Sequence, residues 1–193
     1  LKDHKRSFPI GISGETGIGY ILTGGISPLS RKYGLAIDQI KELGGYWANG
    51  EKLRLKKPIH SPSKDHLLQW KALCGAAPFL AIITHIKLKT HQLKPLGVWE
   101  TTLEPEQLAE TISISEQWPI QASLYWMWGE TIKALGVYEF NESYSEKGFK
   151  EITNEVPKSD DFKTSQIEDL TQLNRFNLPI PSDSFNQSKY SEV

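Results

Sequence analysis

Glycine spacing, not a reactive side chain, is the first sign of chemistry in this chain. Residues 8–25 read FPIGISGETGIGYILTGG, and Gly17-Ile18-Gly19 invites comparison with a dinucleotide-binding loop. The third glycine of G-x-G-x-x-G would fall on Leu22, and no clear strand precedes the run, so that fingerprint fails. No G-x-x-x-x-G-K-S/T phosphate loop is present. Two readings of the glycines stay open. They make tight turns only, or their N–H groups approach a phosphate, sugar or ring where a Cβ would stand in the way. Gly11-Ile12-Ser13-Gly14-Glu15 lacks the last glycine of a nucleophile elbow. His4, His60, His66, His85 and His91 show no zinc-type spacing, so no metal site is expected. His85 and His91 read as a solvated strand face, and Cys74 as a small core residue. Lys52, Arg54, Lys56 and Lys57 read as a basic edge protecting a strand. Tyr125, Trp126 and Trp128 read either as sheet packing or as a wall facing a substrate.

The elements that must hold these residues follow from punctuation and period. Ser27-Pro28 suits a helix start and Gly34 its stop, which predicts a short helix from Pro28 to about Tyr33. Asn49-Gly50 predicts a tight hairpin with both central residues at positive φ. Ser63 to Cys74 reads as a helix ended by Gly75, with Leu67, Trp70, Leu73 and Cys74 on one face. From Ile82 the alternation places Ile82, Thr84, Ile86 and Leu88 on one side of a strand, and Ile83, His85, Lys87 and Lys89 on the other. Residues 96–103 form a strand and Pro105 to about Glu116 a helix. ASLYWMWG and TIKALGVYEF follow as two strands around Gly129-Glu130. After Asn141 the chain turns polar and partly irregular, and loops, or a segment that awaits missing partners, are expected. Mixed helices and antiparallel strands give an α+β class, with a boundary around Pro95 that divides residues 1–94 from 95–193.

Composition narrows the field further. The 193 residues carry a formal charge of −1, 38% hydrophobic and 23% charged residues, which fits an ordered globular chain with no bias toward nucleic acid. No apolar run approaches the roughly 20 residues that span a bilayer, and no signal-peptide pattern is read, so a cytoplasmic location is expected. One cysteine precludes an internal disulfide. A first residue Leu1 and a single methionine, Met127, read as the marks of a fragment.

Residues 17–38, GIGYILTGGISPLSRKYGLAID, resemble the second conserved segment of the FAD-binding domain in p-cresol-methylhydroxylase (PCMH)-type flavoproteins. These include the vanillyl-alcohol-oxidase (VAO) and berberine-bridge-enzyme (BBE) types. The signature R-K-Y-G-L-x-x-D is complete from Arg31 to Asp38. Ala48-Asn49-Gly50 is similar to the family's A-D/N-G turn, Trp70–Gly75 to W-A-L-R-G, and Phe79–Thr84, loosely, to N-F-G-I-V-T. The four elements keep the family's order between about Phe8 and Thr90; beyond Pro95 the likeness is weaker.

The resemblance implies the second subdomain of a PCMH-type FAD-binding domain, followed by the start of an antiparallel-sheet substrate domain. It implies an FAD-dependent oxidoreductase acting on a small organic substrate, with a further FAD subdomain packed against residues 1–94. Gly17, Gly19, Tyr20, Gly24, Gly25, Ile82, Ile83 and Thr84 would lie along the cofactor, and no catalytic residue is assigned. Thr23 stands where the family often has glycine, and Ala77-Pro78-Phe79-Leu80-Ala81 replaces a glycine-rich run. That departure supports an alternative: a scaffold or binding protein that keeps the fold without the cofactor.

Overall fold

The computed structural model describes residues 1–12, 17–141 and 145–175. The Gly11–Glu15 motif falls partly outside them, as do residues 142–144 and 176–193 of the polar stretch.

Among the described residues, three antiparallel sheets organise the chain. Strand β1 (Arg6–Ser7) pairs with β5 (His91–Gln92). Strands β2 (Ile40–Trp47), β3 (Lys52–Lys56) and β4 (Ala81–Leu88) form a sheet in the order β3-β2-β4. Strands β6 (Leu96–Leu103), β7 (Ala122–Trp128), β8 (Ile132–Glu139) and β9 (Lys163–Ile167) form the largest sheet, in the order β7-β8-β6-β9. The helices are α1 (Ile18–Leu22), α2 (Ser30–Tyr33), α3 (Lys64–Leu80), α4 (Pro105–Ser115) and α5 (Glu146–Glu155). The mixture of helices and antiparallel sheets is the expected α+β class.

The three-stranded sheet buries Leu43, Leu53 and Leu55 against Trp70, Leu73 and Ala77 of α3 and Leu22 of α1. One face of the four-stranded sheet packs Trp99, Ala134 and Tyr138 against Leu108 of α4 and Ile152 of α5. Its other face packs Val98, Leu135 and Val137 against Leu29 and Leu173. Leu29 therefore joins the glycine-bearing part of the chain to the larger sheet.

Three local expectations are corrected. The hairpin has a three-residue loop, in which Gly50 N–H donates to the Trp47 carbonyl at 2.9 Å. Only Gly50 takes positive φ (84°) there, as in a type I turn closed by a glycine bulge. The helix end expected at Gly75 is present as a break within α3. The chain kinks at Cys74 and Gly75 (φ 112°), then makes a further helical turn to Leu80. Pro78 sits near the start of that turn, where a missing N–H costs little.

Strand β4 changes parity. Gly44 faces His85 but Gly45 faces Ile83, so Thr84 is a bulge residue. Ala81 and Ile83 turn inward before it, Ile86 and Leu88 after it, and Ile82 is left outside. Lastly, the polar stretch is not all loop. Helix α5 docks Phe149 and Ile152, Val156 packs just past its end, and β9 completes the larger sheet.

Candidate functional site

The glycine segment is built around Tyr20. Its hydroxyl donates to the Ile26 carbonyl at 2.6 Å and accepts from the Ile26 N–H at 2.9 Å, closing the loop after α1. Gly24 and Gly25 take φ of 133° and 74°, the region glycine alone enters freely. Their carbonyls accept from Ile37 and Ala36 N–H. A Cβ on Gly25 would stand 2.5 Å from that of Ala36, so Gly25 serves internal packing. Gly17, Gly19 and Gly24 differ: no described atom lies within 4 Å of a Cβ built there. Backbone on these three residues borders open space, which is the condition for close approach of a cofactor.

At the second expected contact, the side chains divide. Ile82 is 71% exposed, and Thr84 lines an open groove on the outer face of the three-stranded sheet. Ile83 packs into the core, so only its backbone can serve a ligand. Phe79, at the end of α3, is 84% exposed. The residues present thus fit FAD at the glycine segment and at Ile82 and Thr84, and do not fit through the Ile83 side chain.

The R-K-Y-G-L-x-x-D signature has a role the sequence did not reveal. Arg31 donates to four carbonyls: Ser115 (2.9 Å), Glu116 (3.2 Å), Trp118 (2.8 Å) and Ala122 (3.3 Å). Lys32 forms an ion pair with Glu139, whose side chain is 2% exposed. Tyr33 donates to the same carboxylate at 2.8 Å. Burial opposes the Lys32 charge, yet hydrogen bonds with Glu139 and Tyr33 carry its pKa above the ordinary lysine value. Burial, aided by Glu139, also raises that of Tyr33. Gly34 turns the chain at φ 82°, and Asp38 accepts from the Leu35 N–H at 2.9 Å.

His91 stacks on Tyr33 with ring centroids 3.9 Å apart and shares a 3.0 Å hydrogen bond with Gln39 Oε1. It does not belong to a solvated face with His85, which packs over Gly44 in another sheet. Burial and the neighbouring Lys89 hold the His91 pKa below the usual histidine value.

A groove of about 500 Å³ lies where the glycine segment meets the larger sheet. Ile26, Ser27, Ser30 and Arg31 form one side, and Ile112, Ser115, Glu116, Ser123, Leu124, Tyr125 and Trp126 the other. Its serine hydroxyls are engaged internally. Ser27 and Ser30 accept from backbone N–H groups within their turn, Ser115 donates to the Ile112 carbonyl, and Ser123 donates to that of Pro28. Ile26, Ile112, Leu124 and Trp126 leave a mainly apolar surface. Burial pushes the Tyr125 phenol well above the ordinary tyrosine range, so it stays protonated. Trp126 and Trp128 are 47% and 63% exposed, so core packing does not account for them. Among the described residues no histidine, cysteine and carboxylate cluster could hold a metal, and no helix is long and apolar enough to cross a membrane.

No family model matches the chain. It is similar to the FAD-linked oxidoreductase nodO of Hypoxylon pulicicidum, 39% identical over 97 residues, covering 50% of this chain and 20% of the relative. It is likewise similar to the FAD-linked oxidoreductase janO of Penicillium janthinellum, 35% identical over 96 residues, with 49% and 20% covered. The match thus spans about a fifth of the length of these curated relatives.

Among solved structures, the fold is shared with Physcomitrella patens BBE-like 1. The TM-score is 0.66 at 21% identity, covering 85% of this chain and 36% of that one. A chitooligosaccharide oxidase gives a TM-score of 0.70 at 15% identity, covering 91% and 38%. The VAO-type flavoprotein MtVAO615 of Myceliophthora thermophila C1 gives 0.66 at 17%, covering 93% and 35%. The chain therefore has the fold of part of a BBE-like or VAO-type flavoprotein. Its sequence likeness to FAD-linked oxidoreductases is consistent with a PCMH-type member matched over part of its length.

Proposed function

We propose that this chain is the second FAD subdomain, residues 1–94, and the start of the substrate domain, residues 95–193, of an FAD-dependent oxidoreductase. The observation that carries this reading is the open backbone of Gly17, Gly19 and Gly24 in a chain similar to FAD-linked oxidoreductases, with an apolar groove lined by Ile26, Ser27, Ser30 and Arg31 further along the same segment. Backbone at Gly17, Gly19, Tyr20 and Gly24 would hold the cofactor, with Gly25 shaping the turn from within and Ile82, the Ile83 backbone and Thr84 along the cofactor. When bound, the flavin supplies the hydride-accepting ring, and the protein supplies binding and orientation. Exposed Ile18, Phe79 and Ile82 support packing of a further FAD subdomain against residues 1–94. A cytoplasmic location belongs to the same reading.

The groove supports a small organic substrate with an apolar ring system. Sugar hydroxyls need several free partners when they leave water, and the serines here are already engaged. Protonated Tyr125 can offer such a substrate one hydrogen bond.

The test is the visible spectrum of the full-length protein before and after acid precipitation. Flavin bands support the reading, and their partition between pellet and supernatant reports a covalent link. A protein that stays colourless with excess FAD sinks it. That result would favour the second reading, a cofactor-free scaffold, whose support is the helical turn built by Ala77–Leu80 where the family has a glycine-rich run.

A further inference from the structure

We infer that Arg31, Lys32 and Tyr33 form a positioning clamp that sets the groove between the glycine segment and strand β7, with Arg31 its decisive member. The inference deepens the oxidoreductase reading by assigning the signature to alignment of the two halves, not to cofactor contact.

Arg31 gathers the carbonyls of Ser115 and Glu116 at the end of α4, of Trp118 in the following loop, and of Ala122 at the start of β7. The last carbonyls of a helix have no partner within it, so some group must serve them. A guanidinium carries five donors in a fixed fork, and one side chain can serve all four acceptors. An ammonium carries three, and its point-like shape cannot span the same spread. Ser123 adds a hydrogen bond to the Pro28 carbonyl in the turn that presents Arg31.

Lys32 and Tyr33 hold the other end of the clamp on Glu139, the last residue of β8. Behind them, the Gln39 amide donates to the Tyr33 carbonyl and His91 stacks on the Tyr33 ring. His91 lies on β5, whose partner β1 leads into the glycine segment. The clamp is therefore anchored in both halves. One wall of the groove contains Arg31 itself, and the other contains Ser115, one of the residues it binds. Moving Arg31 changes the separation of the walls.

Position-resolved amide exchange on the full-length protein tests this, comparing wild type with Arg31→Lys. The clamp predicts exchange about tenfold faster in residues 116–124, unchanged exchange in β2, and retained flavin with a shifted visible band. A residue that merely capped α4 would leave the flavin band in place. Unchanged exchange in Arg31→Lys overturns the inference, as does acceleration spread equally over both sheets. Flavin lost without a change in exchange overturns it too, because Arg31 would then be a cofactor contact. If Arg31→Lys does not fold, Tyr33→Phe replaces it. That variant keeps the stack on His91 and removes the hydroxyl's hydrogen bonds to Glu139 and Lys32, with faster exchange expected at the end of β8; no change there overturns the inference. A colourless wild type defeats the oxidoreductase reading while the exchange comparison still decides the clamp.

Discussion

At the scale of single residues, two adjacent glycines separate backbone constraint from side-chain accommodation. A Cβ on Gly44 would fall 2.0 Å from the His85 ring, whereas one on Gly45 would fall 1.9 Å from the Ile82 carbonyl oxygen. A ring can rotate away; a strand backbone held in a bulge cannot. Gly45→Ala is therefore expected to destabilise by about 3 kcal/mol and Gly44→Ala by about 1 kcal/mol, checked by urea unfolding. His91 makes a pH prediction. Its pKa is lowered in the folded state, so the unfolded chain binds the extra proton first as pH falls. Its contribution is fully present above the ordinary histidine value, about 6.5, and is lost as pH drops through the folded value. Lys89, Arg6 and Lys32 oppose the added charge and Glu139 favours it. His91→Phe keeps a ring against Tyr33 and should flatten the melting temperature between about pH 6.5 and 5, where wild type declines. The R-K-Y-G-L-x-x-D pattern was legible as a signature. Its work was not, because the acceptors of Arg31 lie more than 80 positions away.

At the scale of elements, strong punctuation was readable and tertiary overrides were not. Gly34, Gly50 and Pro105 mark turns and starts where the sequence placed them. The parity of β4 was not readable, because its bulge answers two glycines in a neighbouring strand. Helix α5 hid in a polar stretch because its apolar residues Phe149 and Ile152, and Val156 just past its end, are isolated in sequence and meet only in the folded core. Phe149 fills the space over Gly97, where a Cβ would stand 2.8 Å from its ring, and packs against Tyr138 and Phe140. Phe149→Ala should cost about 3 kcal/mol by calorimetry, a loss that a solvent-exposed loop residue would not produce.

For the whole molecule, the question is what covers the apolar surface of the smaller sheet and its helices. Ile18, Phe79 and Ile82 are exposed in a chain whose match spans about a fifth of its curated relatives. Exposed residues of this kind are normal singly, and informative when a cofactor or partner surface is expected beside them. Ile82 is on the expected cofactor path, and Phe79 lies in the helical turn that stands where the family has a glycine-rich run. Polar substitution should therefore have opposite signs in two contexts. In the isolated chain, Phe79→Ser with Ile82→Thr removes apolar surface from water and should raise solubility with little change in melting temperature. In the full-length protein the same pair should weaken packing of the further subdomain and reduce flavin content, because binding that stabilises only the assembled form is lost. Measuring soluble yield for the first and the flavin-to-protein absorbance ratio for the second decides it. An unchanged ratio would mean that this surface faces solvent in the complete protein, and that the cofactor is held by the glycine segment alone.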